Sequence, residues 1–331
     1  MKRVSIKDVA KKAGVSISTV SRVINNSAPV SDELKSRVKK AVKELGYKPS
    51  GIAKSLRKGK TGTIGFIIPD ITNPFFPHIV RGAEDYLRSK GYTLVLCNSD
   101  QDTKQEMKLL DALMEKYIDG LLFTGAGRYN PELEKVIEKG INVVFLDRII
   151  EGINASYVIV DNKKGMRDLL SYLWKTGHKS FLFVNGSEET FSAKIRYEAF
   201  EEFMREYKVL HYEHYYTSFS YEAGYNFGLK IKKLPDAIIC GNDLIAFGII
   251  DALEKKGINV PKDVSVTGFD DIPFSKLYKP PLTTVRQPMY EMGIMAAKLL
   301  VKIINGKQKE KKGIVLEPEL IVRNSTRGGK I

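Results

Sequence analysis

From Thr63 onward the apolar residues fall in short unbroken runs separated by amphipathic stretches. The runs are "TIGFIIP", "YTLVLCN", "DGLLFTG", "NVVFLD", "SYVIVD", "SFLFVN", "DAIICGN" and "VSVTGFD". Continuous apolar runs of this length read as strands buried on both faces, and helical stretches at 102–117, 163–177, 190–208 and 242–257 lie between them. That alternation predicts parallel sheets covered by helices on both sides. So many strands across residues 61–331 suggest two doubly wound sheets, with a boundary near Asp161 to Lys164. The closing "GIVLEPELIVR" could return to complete them, which places one subdomain at about 61–161 and 289–320 and the other at about 162–288 and 321–331.

The first 47 residues carry a different pattern. Three short helices are expected: about Ile6 to Ala13, ended by Gly14; one that starts after Ser16 and runs to about Asn25; and a third capped by Ser31, with Asp32 and Glu33 in its first turn. The third places Leu34, Val38, Ala41, Val42 and Leu45 on one face before Gly46. In "DVAKKAGVSISTVSRVINN", Ala10 is small where two helices cross, Gly14 suits the positive φ of a tight turn, and Val15, Val20 and Val23 fill the wedge. This is a helix-turn-helix pattern. Ser16 caps its second helix, leaving Ile17, Ser18, Ser21 and Arg22 outward, on the part of such a helix that reaches base edges in a major groove. Arg22 suits a guanine, and Ser16 and Thr19 suit phosphates; Asn25 completes the candidate set on this helix.

Charge supports that reading. The chain has a net charge of +14, but through Lys60 it carries sixteen basic residues against Asp8, Asp32, Glu33 and Glu44, whereas residues 61–331 carry 37 against 35. Such asymmetry fits a module that binds a polyanion and displaces its counterions. No window approaches the ~18 apolar residues of a membrane span. The basic start lacks an apolar export segment, so a cytoplasmic location is expected. Two cysteines, Cys97 and Cys240, each end an apolar run, which speaks against a disulfide or a metal site.

Taken together, the chain resembles the LacI/GalR (lactose-repressor) family of transcription regulators. "IKDVAKKAGVSISTVSRVINN" is similar to that family's headpiece and "GYKPSGIAKSL" to its hinge, with Ser50 in place of the usual Asn after Pro. "IGFIIPDITNPFF", "GFDDIPFS" and "PLTTVRQPMYEMG" are similar to motifs of its core, and the likeness runs from about residue 4 to 327. It implies an all-α helix-turn-helix headpiece (1–47), a hinge (48–60), and a periplasmic-binding-protein-like α/β core (61–331) of two doubly wound parallel-sheet subdomains. The expected activity is repression, by a homodimer on a near-palindromic double-stranded operator, under control of a small-molecule effector, most simply a sugar. In the hinge, Ile52, Ala53 and Leu56 share one face of a segment too short to hold a helix alone. The expectation is folding on the operator, with two copies in the minor groove, Ala53 and Leu56 at the DNA, and Leu56 the wedge the resemblance implies.

Open α/β sheets bind ligands beyond the carboxyl ends of their strands. That rule selects Asn73, Phe75 and Phe76, Asp147 and Arg148 in "FLDR", Asn242 in "CGND" and Asp270 in "GFDD". Arg196 at a helix start and Phe219 in "TSFSYEAG" join them, and Gln287 suits either the cleft or a crossover. The resemblance supports Arg196, Asn242 and Asp270 in the same roles. Aromatic faces with amides, carboxylates and guanidiniums suit a polyhydroxyl ligand. One of Phe75 and Phe76 is expected in the core, and Asp243 and Asp271 are expected to make cap or hinge contacts.

Catalytic readings fail on composition of motif. "GKT" at 59–61 has Lys54 where a phosphate loop needs Gly, and "GAGRYN" lacks the third glycine of a dinucleotide fingerprint. His211 and His214 in "HYEH" have no further ligand at metal spacing and read as solvated, and His178 reads as a turn residue. No nucleophile motif appears, so neither catalysis nor a cofactor is expected. The alternative of a solute receptor that delivers sugar and has no DNA role predicts a signal peptide where the basic helices stand.

Overall fold

The computed structural model describes residues 4–47, 60–126 and 129–328. The chain divides into two compact units, with the boundary between Gly62 and Thr63.

In the first unit, α1 (Ile6–Ala13), α2 (Ile17–Asn25) and α3 (Asp32–Leu45) surround Val9, Ala10, Ala13, Val20, Val38 and Ala41. Helices this short do not persist alone in water, so the shared core holds them. The Asp8 carboxylate accepts from both the backbone N–H (2.8 Å) and the hydroxyl (2.7 Å) of Ser5, fixing the start of α1. Ser31 stands at the N-cap of α3 as expected, but its side chain makes no cap bond. Asp32 and Glu33 complement the helix dipole there instead. Gly14 joins α1 to α2 at φ +62°, and Arg37 of α3 donates from Nη2 to Ala13 O at 2.8 Å. A Cβ at Gly14 would lie 2.7 Å from that nitrogen, the tip of a flexible side chain, so the turn needs glycine chiefly for its dihedral.

The second unit holds two parallel sheets. In the first, β1 (Thr63–Ile68), β2 (Thr93–Asn98), β3 (Gly120–Phe123), β4 (Asn142–Leu146), β5 (Ser156–Val160) and β11 (Gly313–Leu316) lie in the order β11-β5-β4-β3-β1-β2. In the second, β6 (Ser180–Asn185), β7 (His211–Tyr216), β8 (Ala237–Cys240) and β9 (Ser265–Thr267) lie in the order β7-β6-β8-β9. A short antiparallel pair, β10 (Thr284–Arg286) and β12 (Glu319–Ile321), stands apart. The helices are α4 (Phe75–Ser89), α5 (Thr103–Glu115), α6 (Pro131–Glu138), α7 (Asn162–Lys175), α8 (Phe191–Glu206), α9 (Tyr221–Lys230), α10 (Asp243–Lys255) and α11 (Met289–Ile304). Strand order reverses between β1 and β3 and between β6 and β8, which opens a crevice at the carboxyl end of each sheet.

The chain passes between the sheets three times, at Asp161, at Gln287–Pro288 and at Glu317–Pro318, so the first sheet takes β11 from a separate segment while the four strands of the second come from one. The last long helix, α11, returns to pack on α4 of the first sheet. Their backbones nearly touch: a Cβ at Gly82 would lie 2.1 Å from Tyr290 O, and one at Gly293 2.0 Å from Ile79 O. Among the described residues, no helix is long and apolar enough to cross a membrane.

Two elements depart from expectation. β2 is an edge strand with Leu96 exposed and Cys97 half-buried, because among the described residues no strand pairs beyond it. β7 is a strand despite its polar sequence, because all six residues pair with β6, from Ser180↔His211 to Asn185↔Tyr216. Three apart on a strand, His211 and His214 point to opposite faces. His211 is exposed, but His214 is half-buried among the rings of Tyr197 (4.2 Å), Tyr216 (4.3 Å) and Phe183 (5.3 Å), not solvated.

That burial lowers the His214 pKa from 6.5 to about 4. The unfolded chain therefore binds a proton that the folded one refuses between those values, and this contribution to stability is lost as pH falls through that window. Thermal unfolding of the wild type should drop more steeply from pH 6.5 toward 4 than that of His214→Gln, and parallel curves would refute this account.

Candidate functional site

The amino-terminal part of α2 is an open surface. Ser16, Ile17, Ser18 and Arg22 are exposed, with Ile17 at 44% although it is a large apolar side chain, and Thr19, Ser21 and Asn25 are half-buried. Ser16 Oγ accepts from Thr19 N at 3.1 Å and sits 2.7 Å from Ser18 Oγ and 2.9 Å from Thr19 Oγ1, forming a hydroxyl cluster at the helix start. Asn25 donates back to Ser21 O at 2.8 Å, so it is held by its own helix. Ala53 and Leu56, and the expected folding of the hinge on DNA, fall outside the described residues.

In the second unit a cavity lies at the carboxyl ends of both sheets. It brings together all ten sequence candidates: Asn73, Phe75 and Phe76 after β1; Asp147 and Arg148 after β4; Arg196 on α8; Phe219 before α9; Asn242 after β8; Asp270 after β9; and Gln287 at the second crossing. Phe75 and Phe76 meet edge to face at 5.1 Å and both are buried and both line the cavity, so neither is core alone. The free space is about 20 Å³, room for about one water.

Most of these side chains are fixed by the backbone around them. Asn73 accepts from Phe75 N at 3.1 Å, and Asn242 caps α10 by accepting from Ile245 N at 2.9 Å. Arg196 is 2% exposed and donates to Asn162 Oδ1 (2.8 Å) and Gly241 O (2.5 Å), lies 4.0 Å from Asp270 Oδ1, and stacks at 3.6 Å on Phe269. Gln287 donates to Asp270 Oδ1 at 2.7 Å. Arg148 donates to Gly125 O at 2.8 Å and pairs with its neighbour Asp147 at 3.4 Å, not with a carboxylate across the cleft. Among the described residues Gln287 Oε1 is buried without a hydrogen-bond partner, and Arg148 Nε is met only by the 3.4 Å contact with Asp147 Oδ2.

Burial pushes Asp147 up and Asp270 well above the usual carboxylate range, while charge attraction from Arg148 and Arg196 opposes the first shift and from Arg196 the second. Burial likewise pushes both arginines down, but a guanidinium stays protonated at any ordinary pH. The cavity thus holds two paired cations and, with Asp70, three carboxylates.

Asp70, Gln101 and Ser192 also line the cavity and escaped the sequence reading. Asp70 and Gln101 follow β1 and β2, so the strand-end rule reaches them, and Ser192 lies one helical turn before Arg196. Glu106 was missed as well. It accepts from Ala126 N at 2.6 Å and Asn130 Nδ2 at 3.2 Å, steadying the loop whose Gly125 carbonyl holds Arg148. Its signal was a carboxylate on the same face as Leu110 and Leu113. Asp243 accepts from Ile272 N (2.9 Å), Ser275 Oγ (2.6 Å) and Thr284 Oγ1 (2.5 Å), and Asp271 pairs with Arg286 and Arg323. His178, buried in the α7–β6 turn, bonds Ser265 Oγ at 2.7 Å.

A helix-turn-helix unit followed by a two-sheet core with a polar cleft defines a DNA-binding regulator with a ligand-binding core. Residues 5–50 match the family model described as bacterial regulatory proteins, lacI family, and residues 170–326 match the periplasmic binding protein-like domain. The HTH-type transcriptional regulator RegA of Clostridium saccharobutylicum is 40% identical over 97% of this chain and 99% of its own. The ribose operon repressor of Halalkalibacterium halodurans is 37% identical over 98% of both. The structure of the lac repressor dimer bound to operator and an anti-inducer aligns with a TM-score of 0.85 at 25% identity, covering 98% of this chain and 99% of that one. The chain belongs to the LacI family of transcriptional regulators, and it is a regulator rather than an enzyme.

Removing a buried charge leaves its partners uncompensated. Arg196→Ala should cost about 3–5 kcal/mol in urea unfolding by stranding Asp270, Asn162 Oδ1 and Gly241 O, and a loss under ~1 kcal/mol would refute that role.

Proposed function

We propose that this protein represses transcription as a cytoplasmic homodimer, each copy laying α2 in a major groove of a near-palindromic operator, and that a small neutral sugar in the cleft sets its operator affinity. The observation that carries the DNA reading is the exposed face of α2, where Ile17, Ser18 and Arg22 stand free of the unit's core. Ser16, Thr19, Ser21 and Asn25 complete that face, and residues 48–60 connect it to the core. Its basic charge supplies attraction to phosphate, and Arg22 supplies a bidentate donor for a guanine edge.

The ligand class follows from the cavity's chemistry. Both guanidiniums are already engaged by carbonyls or carboxylates, and three carboxylates face the same space, so an anionic ligand meets repulsion without a free cation. A hydroxyl both donates and accepts, which suits Gln287 Oε1 and an Arg148 Nε held only at 3.4 Å by Asp147. Phe75, Phe76 and Phe219 offer faces to the apolar side of a sugar ring. The similarity to a ribose operon repressor makes ribose the first candidate.

A sugar needs far more than about 20 Å³, so binding requires the cleft to widen, and the three crossings are where the two sheets would pivot. A coupling of ~1–3 kcal/mol would change operator affinity about 5- to 150-fold.

Two measurements test the reading. Arg22→Ala should lose ~1–3 kcal/mol on a duplex selected by the full chain from a random pool, with unchanged thermal stability, and equal affinity would rule out Arg22 as a base reader. In a thermal-shift panel, ribose or another neutral sugar should raise the melting temperature through binding to the folded state, whereas sugar phosphates should not. Stabilisation by a phosphorylated sugar alone would overturn the neutral-ligand reading.

A further inference from the structure

The core carries a dense run of positive charge at the end of α11 that neither the cleft nor the helix-turn-helix accounts for. Between Lys302 and Lys312 the chain has five lysines and one acid, Glu310, and the rest of residues 61–331 holds 32 basic against 34 acidic side chains. Lys302, Lys307, Lys309 and Lys312 are exposed and have no ion pair among the described residues. Attraction to the carboxyl end of α11 explains Lys302, in its last turn, but not the three beyond it.

The position of this loop matters as much as its charge. It runs from the end of α11 to β11, and Tyr157 N donates to Lys312 O at 3.0 Å, which sets it at the amino end of β5. Because β1, β3, β4, β5 and β11 are parallel, that is the same end of the sheet at which the chain enters the core at Thr63. The chain that leaves the headpiece therefore enters the sheet at the end that bears the loop. From Tyr47 to Lys60 the chain spans at most about 45 Å.

We propose that residues 305–312 form a second DNA-contacting element, with Lys307, Lys309 and Lys312 set against phosphates of the duplex that flanks the sequence read by α2. The inference rests on DNA binding by the headpiece. The partner is the polyanion itself, without sequence preference, since lysines on a loop release counterions but read no bases. Long flanks then raise affinity, and the gain disappears at high salt.

The test uses the full chain and a duplex it selects from a random pool, once within long flanks and once trimmed to the selected half-sites. The variant Lys307→Ala/Lys309→Ala/Lys312→Ala should bind the long duplex with a shallower salt dependence, by ~0.9 in slope for each phosphate no longer neutralised, and should match wild type on the trimmed one. A control of equal charge change, Lys230→Ala/Lys232→Ala/Lys233→Ala, alters exposed lysines at the amino end of the second sheet and should leave both slopes unchanged. Equal slopes for wild type and the loop variant on the long duplex would overturn the proposal, and so would an equal loss in the control, which would mean a general field effect. Failure of wild type to bind either duplex would instead sink the DNA-binding reading and this one with it.

Discussion

The architecture of the core turns on the burial of a guanidinium where two sheets meet. Arg196 gives up its hydration at a cost of several kcal/mol, and the protein offsets it with the Asn162 amide, the Gly241 carbonyl, the Asp270 carboxylate and the face of Phe269. Those partners come from α7, the end of β8 and the segment after β9. One side chain therefore ties the start of the second sheet's first helix to the far strand of the same sheet. Asp243 does the equivalent one layer away by gathering Ile272, Ser275 and Thr284.

A site built this way is rigid within each half and adjustable between halves. Asn73 and Asn242 spend one side-chain oxygen on their own backbones, which fixes the orientation of both amides at the cavity wall. Between the halves stand an exposed Glu151–Lys194 pair at 2.9 Å and the charge attraction of Asp147 and Arg196. Exposed pairs of that kind contribute little, about 0–1 kcal/mol, which leaves the closed arrangement easy to open.

The site was legible because its residues follow strands, and strands buried on both faces announce themselves as apolar runs. Asp147, Asn242 and Asp270 could be named from position alone, and Asp70 would have been by the same rule applied three residues before Asn73. β7 was invisible for the converse reason: an edge strand needs only a partner's hydrogen bonds, so Tyr and His serve as well as Val. The helix-turn-helix was read to the residue for α1 and α2, since Gly14 and Ser16 mark both ends of the turn. Arg37, which steadies that turn from α3, left no local signal, because its partners lie more than twenty positions away in the chain.

The close seating of α11 on α4 also bears on how the protein is made. During synthesis the first sheet has five of its strands once Val160 has emerged, but its covering helix and its outermost strand arrive only with Met289–Leu316. Domains generally fold as units as the chain leaves the ribosome, amino-terminal first. Here the early lobe must wait, with the groove beside Ile79 and Gly82 uncovered, until nearly the whole message has been read. The helix-turn-helix unit, complete by Leu45, faces no such delay, so in a nascent chain the part that touches DNA is finished long before the part that governs it.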